Sequence, residues 1–127
     1  MTIDSYNPLK APDAKEWLAL DEEERLRLVI DHHIRARVEL PNVRVHATMH
    51  AIVENQVALG DETPVREKVR QLLAQGLNRH DAIHAIASVL INHLYDAAQG
   101  KAPPGDPNAR YYAALKRLNA RKWLRSG

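Results

Sequence analysis

The chain is 127 residues long, carries 18 basic and 16 acidic residues for a net charge of +2, and contains no cysteine. This length suits a single domain, residues 1–127, with a real core. The missing cysteine excludes disulfides and thiolate ligands, so any metal site must use His, Asp or Glu. The small charge gives no reason to expect a nucleic-acid partner. Residues 1–20 lack a signal-peptide pattern and no apolar run is long enough to cross a bilayer, so we expect a cytoplasmic protein without a membrane partner.

Helix is the secondary structure predicted for the first part of the chain, after an irregular segment at residues 1–12. Phe is absent, and β-branched residues are scattered among Ala, Leu and charged residues, which favours helix over sheet. A long helix is predicted over about 21–38, since Asp21 followed by Glu24 matches a capping box. His33 lies on the apolar side of this helix, whereas its neighbour His32 is predicted to lie at the helix edge or in solvent.

Two further helices each open with a pair of histidines four residues apart. The helix over about 43–58 carries His46 and His50, with Glu54 at the edge of the same stripe. The helix over about 79–98 carries the pair His80 and His84. A spacing of four places both imidazoles on one helix face, one turn apart, which is how a helix presents two nitrogens to one metal ion.

The remaining predicted elements complete an all-α, single-domain bundle of about five helices, mostly up-down. A helix follows the turn at Thr63 and Pro64 and ends near Gly76. Residues 100–107 form a Pro/Gly linker before the last helix, which runs to about Leu124.

Short turns make neighbouring helices antiparallel, so the two histidine-bearing helices are predicted to be parallel, with their N-terminal ends level. His33 would then join both pairs in one layer of the bundle. Several buried imidazoles need polar partners, and a metal ion supplies one partner for several rings at once. The alternative is a hydrogen-bonded network of His, Glu, Asp and Arg side chains. Glu54 could be a ligand, a base acting through a metal-bound water, or an acceptor that orients a ring.

The chain resembles a bacterial family of unknown function, DUF1841, over about residues 40–120. The resemblance rests on Pro41-Asn42, on the His46 helix with Glu54, on the segment from Arg79 to Ala85, and on the tail from Tyr111 to Leu118. It implies no established activity. A looser likeness to hemerythrin-type di-iron bundles lacks the His and Asp that should complete such a site, since residues 108–127 contain neither.

The leading hypothesis is a metal-binding bundle whose reaction is unknown and whose ligands are His46, His50, His80, His84, Glu54 and His33. Imidazole ligands favour Zn²⁺, Ni²⁺ or Fe²⁺ over Mg²⁺ or Ca²⁺. Whether the protein is an enzyme is left open, as is a homo-oligomer. The alternative is a metal-free module that binds a protein or nucleic acid through its basic C-terminal helix, and for nucleic acid we expect no binding.

Overall fold

The computed structural model describes residues 3, 5–35, 43–101 and 106–126, and over these ranges it contains seven helices and no strand. The helices are α1 (Ala14–Ala19), α2 (Glu22–Arg35), α3 (Val43–Ala58), α4 (Val65–Ala74), α5 (Arg79–Ala98), α6 (Pro107–Arg117) and α7 (Ala120–Ser126). A single 3-10 turn, Gly60–Glu62, follows α3. The all-α class is therefore confirmed, and none of these helices is both long enough and apolar enough to span a bilayer.

Side-chain caps explain where several helices begin. Asp13, Asp21 and Asn78 each accept a hydrogen bond from the backbone N–H three residues later, at 2.8–2.9 Å. Such a bond satisfies one of the N–H groups that the first turn of a helix leaves unpaired. Gly76 follows the end of α4 with φ of 103°, a left-handed conformation that glycine adopts without strain. The predicted cap at Asp21 and the predicted helix end near Gly76 are both present.

The helix count differs from the predicted five at both ends of the chain. Between the irregular N-terminal segment and the predicted long helix, Ala14–Ala19 form a short additional helix, α1. The predicted last helix is divided in two, because Leu118 is extended with ψ of 133° and Asn119 caps α7 by accepting from Lys122 N–H at 2.9 Å. Residues 36–42 and 102–105 lie outside the described residues, and so do the predicted C-terminal end of the first long helix and part of the predicted linker.

Helix α3 is the centre of the bundle, because it packs against α1, α2, α4 and α5. One apolar cluster combines α3 with α4, α5, α6 and the start of α7; its largest members are Leu72, Ile83, Ile86, Tyr111 and Leu115. A second cluster joins the N-terminal segment, α1 and α2 to the other side of α3; its members include Tyr6, Trp17, Leu26, Leu28 and Val29. Polar side chains of α2, α3 and α5 are also drawn into the buried interior.

Candidate metal centre

Six of the seven histidines of the chain meet where α2, α3 and α5 pack together. We call this group the histidine cluster: His32, His33, His46, His50, His80 and His84. Ring centroids of contacting pairs lie between 4.4 Å, for His80 and His84, and 6.2 Å, for His32 and His80. The structure therefore brings together all five histidines predicted to form a site, and adds a sixth.

The four-residue spacing within each pair brings both of its rings to this place. In the first two turns of α3, His46 and His50 stack one turn apart with centroids at 4.6 Å. In the first two turns of α5, His80 and His84 do the same at 4.4 Å. His33 comes from the last turns of α2 and contacts the α3 pair, with centroids 4.7 Å from His46 and 5.2 Å from His50.

The contacts between the two histidine pairs differ from those that the predicted parallel arrangement of α3 and α5 requires. Parallel helices with level ends would place His46 beside His80. Instead the His46 ring contacts His84 at 4.8 Å, and Glu54, two turns later in α3, contacts Arg79 at the start of α5. The contacts thus run in opposite directions along the two helices, and the parallel prediction was wrong. The rings converge nonetheless, since each pair lies on the face that its helix turns toward the other.

His50 is the central member of the cluster and the most buried, at 0% exposure. Its ring contacts those of His33, His46, His80 and His84. Among the residues that the structure describes, neither ring nitrogen of His50 has a hydrogen-bond partner, and His80 Nε2 is also buried without one. Burial, followed by the neighbouring imidazoles, lowers the pKa of His50 to about 2. The ring is therefore neutral at physiological pH, with a lone pair available for coordination.

The imidazole rings of the other members of the two helical pairs are neutral as well. Burial, together with His80, His46 and His33, lowers the pKa of His84 to about 4. The pKa values of His46 and His80 are also lowered, with burial as the largest cause in each case. A metal ion binds the neutral form of imidazole, so the environment already favours the state that coordination requires.

His33 has the hydrogen bond expected of an oriented ligand. Its Nδ1 lies 2.7 Å from the carbonyl oxygen of Val29, one turn earlier in α2. A carbonyl oxygen can only accept, so Nδ1 carries a proton and Nε2 is the nitrogen left to face the cluster. A metal-ligating histidine almost always donates its second N–H to such an acceptor, which determines both the tautomer and the ring orientation.

His46 and His84 approach each other most closely through their Nε2 atoms, which lie 3.1 Å apart. A proton on one of them would make an N–H···N hydrogen bond. A shared ion would also fit this distance, because two nitrogens bound to one tetrahedral Zn²⁺ at about 2.0–2.1 Å are roughly 3.3 Å apart. Among the described residues, two groups of three histidines have ligand atoms within 4.8 Å of one another; they are His33, His46 and His50, and His50, His80 and His84.

Glu54 occupies a different environment from the one expected of a ligand. Its Oε1 and Oε2 accept hydrogen bonds from Nη2 and Nη1 of Arg79 at 2.7 and 2.8 Å, and Oε2 also accepts from the Tyr6 hydroxyl. Burial and the Glu54 carboxylate raise the pKa of Tyr6. Arg79 is charged, yet it is only 8% exposed, and it also donates a hydrogen bond to the Pro8 carbonyl. Glu54 thus belongs to a buried ion pair beside the cluster.

His32 was also misplaced by the sequence, which predicted a helix-edge or solvent position. It is half-buried, and its ring makes edge contacts with Tyr6, His33 and His80 at 5.8, 5.4 and 6.2 Å. A signal was present, since His32 follows the buried Leu28 by four residues and so lies on the same helix face. The seventh histidine, His93, lies apart from the cluster, with its ring 6.0 Å from Tyr111.

The basic C-terminal region presents exposed side chains, including Arg110, Lys116, Arg121 and Lys122. Trp123 is partly buried and packs against the larger apolar cluster, so it helps to fasten α7 to the bundle. This arrangement is that of a solvated basic face covering a core.

The family model for DUF1841, a domain of unknown function, matches residues 19–117. The chain belongs to this family. The match begins well before the resemblance at residues 40–120 and takes in α2, so His32 and His33 lie inside the family's domain together with the rest of the cluster. Comparisons with curated proteins and with solved structures found no match. The looser likeness to hemerythrin-type bundles consequently gains no support.

Proposed function

We propose that this DUF1841 protein binds a transition metal through the histidine cluster. The observation that carries the proposal is the environment of His50, which is fully buried and whose two ring nitrogens have no hydrogen-bond partner within the described part of the chain. A buried polar group left unpaired costs about 1–3 kcal/mol, and native proteins rarely contain one without a reason. Coordination would supply the missing partner.

The surroundings of His50 fit an imidazole-rich metal site. Two groups of three histidines offer converging nitrogens, and the pKa shifts keep His50 and His84 neutral. The ring of His33 is oriented by Val29 in the manner of a ligand. Neutral nitrogen donors suit Zn²⁺, Ni²⁺ or Fe²⁺, whereas Mg²⁺ and Ca²⁺ prefer oxygen.

A metal-free hydrogen-bonded network explains the cluster less well. The close approach of His46 to His84 can be a hydrogen bond, and His33 has its carbonyl acceptor. Neither contact reaches the nitrogens of His50, which is the ring that most needs a partner. A role for Glu54 as a ligand or as a base gains no support from the geometry either, because both of its oxygens are engaged by Arg79.

Metal-dependent stability tests the proposal. An ion that binds only the folded state raises the free energy of unfolding by RT ln(1 + [L]/Kd), about 2.7 kcal/mol at a hundredfold excess over Kd. The tag-free protein, stripped with EDTA and then given Zn²⁺, should unfold at a higher temperature than the stripped protein. His50→Ala and His84→Ala should each lose most of this increase, and the double variant should lose little more, because all remove the same bound metal.

His93→Ala is the matched control, since it removes an imidazole from α5 without touching the cluster, and it should keep the full increase. The proposal would be overturned if Zn²⁺, Ni²⁺ and Fe²⁺ all left the melting temperature of the wild-type protein unchanged.

A further inference from the structure

Residues 5–12 form an irregular segment that leads into α1, and we call it the N-terminal strap. All of these residues are described, and none is helical. Tyr6 and Pro8 are buried, whereas Leu9 and Lys10 are exposed. A segment held by so few buried side chains opens at a lower free-energy cost than a core helix.

The two buried residues of the strap are both fastened to the ion pair beside the histidine cluster. The Tyr6 hydroxyl donates to Oε2 of Glu54. Nη1 of Arg79 donates to the Pro8 carbonyl at 3.0 Å and to Oε2 of Glu54 at 2.8 Å. The Tyr6 ring also contacts His32 of the histidine cluster, with centroids 5.8 Å apart. The seat of the strap is therefore a pair formed between α3 and α5.

The ion pair and the histidine cluster join the same stretches of these two helices. Glu54 follows His50 by one turn in α3, and Arg79 directly precedes His80 in α5. A force that keeps the histidines of α3 and α5 together thus keeps Glu54 and Arg79 together too. Any separation of the two helices at the cluster strains the seat of the strap.

A metal ion changes the balance of forces between α3 and α5. Without one, both ring nitrogens of His50 and Nε2 of His80 are buried and have no hydrogen-bond partner anywhere in the described ranges. Such groups favour opening of the packed helices, because opening lets water reach them. A metal bound by the cluster supplies partners in the closed arrangement and removes this tendency.

We propose, resting on the metal-binding function above, that metal occupancy controls the N-terminal strap. The metal-loaded protein keeps the strap seated on Glu54 and Arg79, and the metal-free protein releases it more often. The ion and the strap stabilise each other, since the coupling of two binding equilibria is reciprocal. Occupancy of a buried centre is thereby converted into a change at the surface of the protein.

Trypsin measures how often the strap opens, because Lys10 lies within it and the cleavage rate follows the population of the open form. Adding Zn²⁺ to the tag-free, EDTA-stripped protein should slow cleavage after Lys10 roughly fivefold or more, the lower end of typical coupling between sites. Cleavage after the exposed Lys101, just beyond the end of α5, is the matched control and should keep its rate. Mass spectrometry of the fragments follows both sites in one sample.

Equilibrium dialysis against Zn²⁺ separates this inference from the function on which it rests. Zn²⁺ that binds, yet leaves the rate at Lys10 unchanged or slows cleavage after Lys10 and Lys101 equally, would overturn control of the strap and leave metal binding intact. A protein that binds no Zn²⁺ would overturn both.

The reciprocal effect gives a second test. Tyr6→Phe removes the hydroxyl that bonds to Glu54 and keeps the ring, so the strap should open more often and Zn²⁺ should bind several-fold more weakly. Tyr111→Phe is the matched control, because it removes another buried phenolic hydroxyl, bonded to Gln56 at 2.8 Å, and it should keep the wild-type Kd. A Tyr6→Phe protein that is cleaved faster after Lys10, yet binds Zn²⁺ with the wild-type Kd, would overturn the coupling.

Discussion

Arg79 should be one of the most destabilising positions in the chain to truncate. Its guanidinium is 8% exposed and makes two hydrogen bonds, at 2.7 and 2.8 Å, to the carboxylate of Glu54, which is 1% exposed. Arg79→Met would leave that carboxylate buried, with the Tyr6 hydroxyl as its one remaining donor among the described residues. Removing one partner of a buried ion pair costs about 3–5 kcal/mol. This is a large part of the roughly 5–15 kcal/mol that stabilises a typical domain.

Urea denaturation of the EDTA-stripped protein, followed by circular dichroism, measures this loss. Arg70→Met is the matched control, because Arg70 pairs with Glu67 at 3.2 Å on the surface, where both side chains are more than half exposed. We expect that control to cost about 0–1 kcal/mol. The double variant Glu54→Met with Arg79→Met should recover much of the loss, since replacing both partners leaves no buried charge. A loss below about 1 kcal/mol for Arg79→Met would refute the reasoning that the pair is buried and mutually dependent.

Two further predictions concern acid sensitivity and Glu54. The pKa values of His50 and His84 are lowered to about 2 and about 4 in the folded state, so the unfolded chain, with pKa near 6.5, takes up protons first as the pH falls. The stripped protein should therefore be fully stable above about pH 6.5 and lose stability below it. The loss should be shallower for His84→Asn. Urea midpoints that stay constant between pH 7 and pH 5 would contradict this prediction. Glu54→Gln should be less stable but keep its metal content, because Glu54 pairs with Arg79; loss of metal from a folded Glu54→Gln protein would restore Glu54 as a ligand.

The histidine pairs could be predicted from the sequence because their information is local. A spacing of four determines that His46 and His50 share a helix face, whatever the rest of the chain does, and the caps at Asp21 and Asn78 are equally local signals. The histidines occupy helix positions whose neighbours on the same face are apolar, which indicates that these faces are buried. The five predicted histidines do converge.

What could not be predicted depends on contacts between distant parts of the chain. Arg79 is separated from Glu54 by 25 residues and from Pro8 by 71, and its charge alone indicated a surface position. The predicted direction of α5 relative to α3 was wrong, because turn lengths constrain only consecutive helices and α4 lies between these two in the chain. The break at Leu118 lacked a Gly or Pro signal, and Asn119 alone was too weak a cap to identify it.

The most direct test of the account is the metal content of the protein as isolated. The chain should be produced without a histidine tag, purified without a metal-chelating column, and analysed for transition metals by elemental mass spectrometry after gel filtration. We expect stoichiometric transition metal in the wild-type protein and in His93→Ala, and little in a folded His50→Ala protein. Wild-type protein that carries no stoichiometric metal, and that binds none when Zn²⁺, Ni²⁺ or Fe²⁺ is supplied, would contradict the central claim.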